Sequence, residues 1–273
     1  MLYLPEVSVL EAHPFLVASS PLDDTYELFI SECGDYTRRI VDAVGASGSL
    51  RAYVEGPYGG VAIRYRNYRG LFLVAGGVGA CRVRARPGQM DRYVTDRSVP
   101  HFLSAAASRL GLAAVLGILR DVYRDGERPG NNRPDMLAGV FVVWAIRTLS
   151  EYALFSQELD ELRAVARIPD DVQPRPPLHL AVFATHELAS KMEADEAAAV
   201  AAEAGSRCEL VVAYGQPDLH GLLFAASRMV GAGAPQLVYA CGPRRLVGAT
   251  WDVVSAGRSA GIPLDFFDQS LAI

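Results

Sequence analysis

From Tyr68 onwards the chain alternates short apolar runs with helical stretches, and this alternation restricts the fold more than any other feature. The runs are GLFLVA (70–75), LAGVFVVWAI (137–146), LHLAVFAT (178–185), CELVVAY (208–214), QLVYAC (236–241) and IPLDFF (262–267). Between them lie LSEYALFSQELDELRAVA (149–166), ELASKMEADEAAAVAAEA (187–204), LHGLLFAASRMV (219–230) and PRRLVGATWDVVSAG (243–257), which have helical patterns. Strands and helices alternating at this spacing predict right-handed βαβ units and a parallel sheet. Unbroken Val, Leu and Ala runs suit strands covered on both faces. The expected class is therefore α/β, with a doubly wound sheet.

Residues 3–65 read differently. YELFI and SLRAYV alternate in the β manner, and SSPLDD, GASGS and GPYGG separate them as turns. An antiparallel β unit is expected, with too few strands to close a barrel alone. The 273 residues are 51% hydrophobic and suffice for one large or two smaller cores. A net charge of −5 argues against a nucleic-acid protein. Four cysteines, Cys33, Cys81, Cys208 and Cys241, lie too far apart for metal-ligand spacing, so no metal site is expected and a reducing, cytosol-facing compartment fits. The apolar segment 102–119 carries Arg109 near its middle and reads as a buried helix rather than a membrane span, so a soluble chain is expected.

Three motifs carry candidate chemistry. LVAGGVGA places Gly76, Gly77, Val78 and Gly79 after a strand, where glycine lets backbone approach a pyrophosphate. YACGP ends a late strand with Cys241, Gly242 and Pro243, at the edge where ligands of parallel sheets bind. EAHPFLVASS holds His13, Pro14, Phe15, Ser19 and Ser20, an imidazole donor and an aromatic face ahead of a strand.

In chain order, His-Pro-Phe, a threonine-bearing loop, E-G-P-Y-G, G-G-x-G, W-x-x-R, Y-G-x-P and C-G-P resemble the flavin- and nicotinamide-binding half of the ferric reductase and NADPH oxidase family, with fungal ferric-chelate reductases most alike. The resemblance implies a ferredoxin-reductase-type flavin unit over residues 1–66 and a NAD(P)-binding domain over 67–273. It implies that His13, Pro14, Phe15, Ser19, Ser20 and Thr37 hold FAD, with Arg38 and Arg39 as countercharges and Glu55–Gly59 as the (D/E)GPYG turn. It implies that Gly76, Gly77, Val78, Gly79, Arg147, Tyr214, Gly215, Gln216, Cys241, Gly242 and Pro243 hold NADP, with Trp144 on the second nucleotide-domain strand and Cys241 beside the hydride-transfer position. The implied activity is hydride transfer from NAD(P)H to FAD, then single electrons to a membrane haem domain and ferric chelates. The family works on the cytosolic face of a membrane.

The sequence departs from the family pattern in several places. Against the family pattern, the given sequence opens at MLYLPEVSVL, so a flavin unit with fewer strands and without the haem domain is expected. Leu16 replaces a hydroxyl residue, and Gln216 stands where arginine is usual, which leaves NAD possible beside NADP. Leu271 and Ile273 occupy late aromatic positions. The glycine loop is followed not by a helix but by CRVRARPGQMDRY, and AVLGILRDVYRDGE resumes the pattern at Ala114. Residues 81–113 read as an insertion, either a true surface segment or translated non-coding sequence. Residues 82–112 hold six arginines against two aspartates. Because a helix dipole fades within about one turn, a helix displaced from the loop predicts weakened nucleotide affinity. The rival readings are a catalytically silent fragment and a non-enzymatic interaction module using the basic insertion.

Overall fold

The computed structural model describes residues 1–15, 17–19, 26–30, 34–55, 65–77, 81–85, 94–95, 111–124, 137–153, 155–168, 175–186 and 208–270. Its centre is a six-stranded sheet built from β5 (Gly70–Gly76), β8 (Gly139–Ile146), β9 (Leu178–Ala184), β10 (Cys208–Tyr214), β11 (Gln236–Gly242) and β12 (Leu264–Ser270). The strand order is β10-β9-β8-β5-β11-β12, and every pairing is parallel. The fold is α/β, as the alternation predicts.

On β5 and β8, successive residues are buried on opposite faces of the sheet. On β5, Leu71, Leu73 and Ala75 enter one core while Phe72 and Val74 enter another. On β8, Val140, Val142, Trp144 and Ile146 face the first core and Phe141 and Val143 the second. A strand covered on both faces has no polar side, so its sequence reads as an unbroken apolar run.

Helices α2 (Gly111–Arg124), α3 (Leu149–Ala153) and α4 (Ser156–Ala166) cover the first face. Leu112, Val115, Leu116, Leu119, Val122 and Tyr123 of α2 are buried at the three- and four-residue spacing of one helical stripe. Helices α5 (Leu219–Val230) and α6 (Arg244–Ser259) cover the second face. Residues 187–204, read from sequence as a helix, lie outside the described residues.

The first 65 residues are less strand-rich than expected. A small antiparallel sheet has the order β2-β1-β4, from β1 (Leu2–Tyr3), β2 (Ala12–His13) and β4 (Tyr53–Val54). Strand β3 (Tyr26–Ile30) heads a second antiparallel sheet. Between them runs α1 (Asp35–Ser47), where a threonine-bearing loop and a GASGS turn were expected. Two features explain the helix. The Thr37 hydroxyl donates to the Gly34 carbonyl and accepts from the Gly34 N–H, closing the first turn. Gly48, at φ 74°, ends the helix in the left-handed conformation glycine favours. Tyr36 and Ile40, one turn apart, supply its buried side.

The segment read as an insertion contributes to this region. Strand β6 (Cys81–Ala85) pairs antiparallel with β3, from Ile30 opposite Cys81 to Tyr26 opposite Ala85, and β7 (Val94–Thr95) pairs with β6. No regular period was expected there.

A buried polar cluster joins β3 to the first face of the large sheet. Arg120 of α2 donates to the Ala18 carbonyl at 2.9 Å and pairs with the carboxylate of Glu27. Glu158 of α4 is 3% exposed. Burial pushes its carboxyl above the usual range, and the nearby Glu27 charge adds to the rise, while Arg120 opposes it. A raised carboxylate contributes stability below its unfolded value, and this is lost as pH rises through the folded value. Glu158→Gln, neutral at every pH, is therefore expected to raise the melting temperature by a few degrees at pH 7.5, with the gain vanishing near pH 4. Thermal melts of the two proteins across that range check the sign.

Candidate nucleotide site

The strands end in register. Tyr214, Ala184 and Ile146 stand side by side on β10, β9 and β8, and Ala145 stands beside Gly76 on β5. At this carboxyl edge lies a cavity of about 610 Å³, lined by residues that include Gly76, Gly77, Arg147, His186, Gln216 and Arg245. That volume falls in the range of small-molecule and cofactor sites.

Close backbone packing shapes the floor. A Cβ on Gly76 would lie 2.6 Å from Leu246 and 2.7 Å from Pro243. Gly77 has φ 83°, a conformation other residues rarely adopt. Its N–H donates to the Ala145 carbonyl, and its own carbonyl accepts from the indole of Trp144 at 3.1 Å. Trp144 is fully buried and meets Phe155 edge-on, and Phe155 touches Phe29 of β3. The tryptophan of W-x-x-R thus holds the glycine turn from beneath.

The expectation that α2 is displaced from this turn is corrected. A Cβ on Gly111 would collide with the Cys241 carbonyl and lie 2.5 Å from the Gly76 nitrogen. The described part of the helix runs from Gly111, ahead of Ala114. At Gly111 the helix therefore packs directly on the ends of β5 and β11. The distance expected from sequence exists along the chain and not in space. In the described residues Gly111 of the helix lies against the turn rather than away from it.

Arg147 follows β8, and its N–H donates to Glu151 at 2.9 Å. Gln216 follows Gly215, whose φ of 91° turns the chain off β10. Pro243 lines the cavity, and Tyr214, Gly215, Cys241 and Gly242 sit on or beside the same strand ends. Cys241 is wholly buried, and burial pushes its thiol up to about 11, with the Tyr239 hydroxyl opposing the rise. The thiol is thus protonated and packed in the core at neutral pH. Val78 and Gly79 lie outside the described residues.

The described flavin-motif residues stand elsewhere and do not line this cavity. His13 on β2 rests its ring on Tyr36 of α1 at 3.9 Å, and Glu11 pairs with Arg39 at 2.7 Å. These contacts bring His13 beside the first turn of α1, where Thr37 is held. Arg38 pairs with Asp35 at 3.4 Å. Pro14 is exposed, while Phe15 packs against the small core of Leu28, Ile30 and Tyr36. The Ser19 hydroxyl is buried and accepts from the Glu27 N–H. Glu55 exchanges backbone hydrogen bonds with Met1. Ser20 and residues 56–59 lie outside the described residues.

Sequence reading missed Gly111, Thr185, His186 and Arg245. Thr185 and His186 were findable, because they directly follow a strand whose neighbours were already assigned to the ligand edge. Nothing local marked Gly111.

Comparison with known proteins agrees with this architecture. Residues 1–62 match a family described as FAD-binding domain. The chain is 38% identical over 96 residues to respiratory burst oxidase homolog protein F of Arabidopsis thaliana, covering 28% of this chain and 10% of that protein. It is 34% identical over 83 residues to human NADPH oxidase 3, covering 28% and 15%. It is 29% identical over 173 residues to ferric reduction oxidase 7, chloroplastic, of Arabidopsis thaliana, covering 57% and 18%. The chain thus spans less than a fifth of the length of these relatives. Fold and matches together are those of an FAD-binding unit joined to an α/β domain, as found in oxidoreductases. Within these matches, the chain is similar to stretches of the ferric reductase and NADPH oxidase family.

Proposed function

We propose that the chain is a NAD(P)H-dependent flavin reductase module, with residues 1–66 as the flavin unit and 67–273 as the nucleotide domain. The observation that carries this reading is the cavity at the strand ends, where Gly76, Gly77 and Arg147 stand beside the start of α2. Glycine leaves backbone open to a diphosphate, and a 14-residue helix begins beside it. Arg147 supplies a forked cation. Gly76, Gly77, Val78, Gly79, Arg147, Tyr214, Gly215, Gln216, Cys241, Gly242 and Pro243 would hold the coenzyme.

FAD suits the first unit at its phosphate end, where His13, Thr37 and Arg39 are brought together. His13, Pro14, Phe15, Ser19, Ser20 and Thr37 would hold it. Bound there, the two coenzymes supply hydride uptake followed by single-electron delivery, towards a haem partner and ferric iron as the family resemblance implies. The neutral, buried Cys241 would border the nicotinamide as a packing surface, not as a nucleophile. No helix among the described residues is long and apolar enough to cross a membrane, and work at a membrane's cytosolic face would depend on that partner.

The test is NADPH-driven ferricyanide reduction by the purified chain with added FAD. Turnover is expected, and Arg147→Ala should weaken NADPH binding by about tenfold or more, the loss of one charge-assisted bond. A preparation that neither retains FAD nor turns over would point to the silent fragment.

A further inference from the structure

Helix α2 touches both regions that would hold a coenzyme. At Gly111 its backbone lies against Gly76 and Cys241, at the nucleotide turn. Further along it meets the flavin unit through three residues. A Cβ on Gly117 would lie 3.3 Å from the Val17 carbonyl oxygen and 3.9 Å from Ala18. Arg120 donates to the Ala18 carbonyl and pairs with Glu27. The Tyr65 hydroxyl donates to Asp121 at 2.5 Å. Positions 117, 120 and 121 fall on one stripe of a helix, whereas Leu112, Val115, Leu116 and Leu119 form the stripe packed in the sheet core. A helix rises about 1.5 Å per residue, so Gly111 and Gly117 stand about 9 Å apart along its axis.

The segment gripped there belongs to the flavin motif. Val17 bridges Leu28 of β3, and the Ala18 N–H donates to the Glu27 carbonyl at 2.8 Å. The Ser19 hydroxyl accepts from the Glu27 N–H at 3.1 Å. Ala18 is wholly buried in the large core, and Val17 packs against the small one. A second connection runs through aromatic rings. Phe29 of β3 meets Phe155 at 4.7 Å between centroids, Phe155 meets Trp144 at 5.8 Å, and Trp144 bonds to the Gly77 carbonyl. A segment held at so many points does not absorb a push locally, because packed interiors transmit strain. Glycine inside a helix is less favourable than alanine. At Gly117 the helix bears that loss where the Val17 backbone lies against it.

The geometry points to α2 as the spacer between the two coenzymes, with Gly117 as a positioning residue: its missing side chain sets how near the flavin segment comes to the nucleotide turn. The inference rests on the coenzyme reading above. Gly117 does not line the cavity, so it acts through Val17 and Ala18 rather than by touching NADPH. The reaction of that reading breaks the C4–H bond of the nicotinamide and forms an N–H bond at N5 of the flavin. The hydrogen moves with both electrons, so NADPH is oxidised as the flavin is reduced. Such transfer needs the reacting atoms about 3–3.5 Å apart, and a misplacement of about 1 Å costs about a hundredfold in rate. A wedge at Gly117 therefore slows transfer without removing any group that binds a coenzyme.

The experiment uses the whole chain as native protein, Gly117→Ala and Gly117→Val. Three quantities are read. The first is the dissociation constants of FAD and of NADPH, each alone. The second is the rate of flavin reduction by NADPH in a single turnover. The third is the long-wavelength charge-transfer absorbance between bound FAD and tetrahydro-NADP, an analogue with no hydride to give. Both dissociation constants are expected to stay within about twofold of native. The reduction rate is expected to fall about threefold in Gly117→Ala and about tenfold or more in Gly117→Val, with the absorbance falling in the same order. A rate and an absorbance at the native level in both variants overturn the inference, while binding of both coenzymes leaves the coenzyme reading standing. Weakened binding that accounts for the whole loss of rate also overturns it, because Gly117 would then serve the fold alone. Gly117→Ala gains helix propensity and decides the matter if Gly117→Val does not fold. A native chain that fails to bind either FAD or NADPH overturns both readings.

Discussion

Gly111→Ala is expected to cost at least about 3 kcal/mol of stability and to remove NADPH binding in whatever protein still folds. A single methyl group would be placed against the Cys241 carbonyl, 2.5 Å from the Gly76 nitrogen and 2.6 Å from its oxygen. All three are backbone atoms of the neighbouring strands β5 and β11, and they cannot swing aside as a side-chain tip can. The helix must therefore tilt away, drawing Leu112, Ala113, Val115 and Leu116 out of the core and lifting its N-terminus from the turn. Gly45→Ala is the control: it lies inside α1 with nothing within 4 Å, and it should stabilise by about 0.5–1 kcal/mol. Urea unfolding and NADPH titration of the two variants separate close packing from a general intolerance of substitution. The same contact means that residues 79–110 separate two positions, Gly76 and Gly111, that touch in space. A chain with those residues cut out and Val78 joined to Gly111 is expected to keep the parallel sheet, since each residue spans about 3.8 Å.

The second large effect concerns Arg120. Its guanidinium pairs with Glu27, and the two side chains are 11% and 4% exposed. Arg120→Met leaves the carboxylate of Glu27 in a nearly dry site beside Glu158, an expected loss of about 3–5 kcal/mol. That is a large fraction of the roughly 5–15 kcal/mol by which domains are stable. Replacing both partners, as Arg120→Met with Glu27→Leu, should recover most of the loss, because a well-packed apolar pair needs no countercharge. Denaturant midpoints for the single and double variants check this. A single variant as stable as the native protein would show that water reaches Glu27.

The elements legible in the sequence were those whose stability is written locally. β5, β8 and β11 are apolar on both faces because helices cover both, so their runs announced them. α5 was readable from its apolar spacing and from Gly231 just past its end. α1 was not, because only Tyr36 and Ile40 of its thirteen residues are buried and Gly45 weakens its propensity. The alternation Cys81-Arg82-Val83-Arg84-Ala85 has the period of a strand, yet its arginines drew notice as charge rather than as pattern. At the cavity, glycines and strand-end residues could be named because turns advertise themselves. The meeting of Gly111 with Gly76 and Cys241 could not, since it depends on contacts between residues far apart in sequence.

Only two tryptophans occur in the chain. Trp251 is 44% exposed, whereas Trp144 is sealed in the interior with its indole bonded to the Gly77 carbonyl. Acrylamide would silence the first and leave the second shining. The residual emission then becomes an optical gauge of the glycine turn, read without any label.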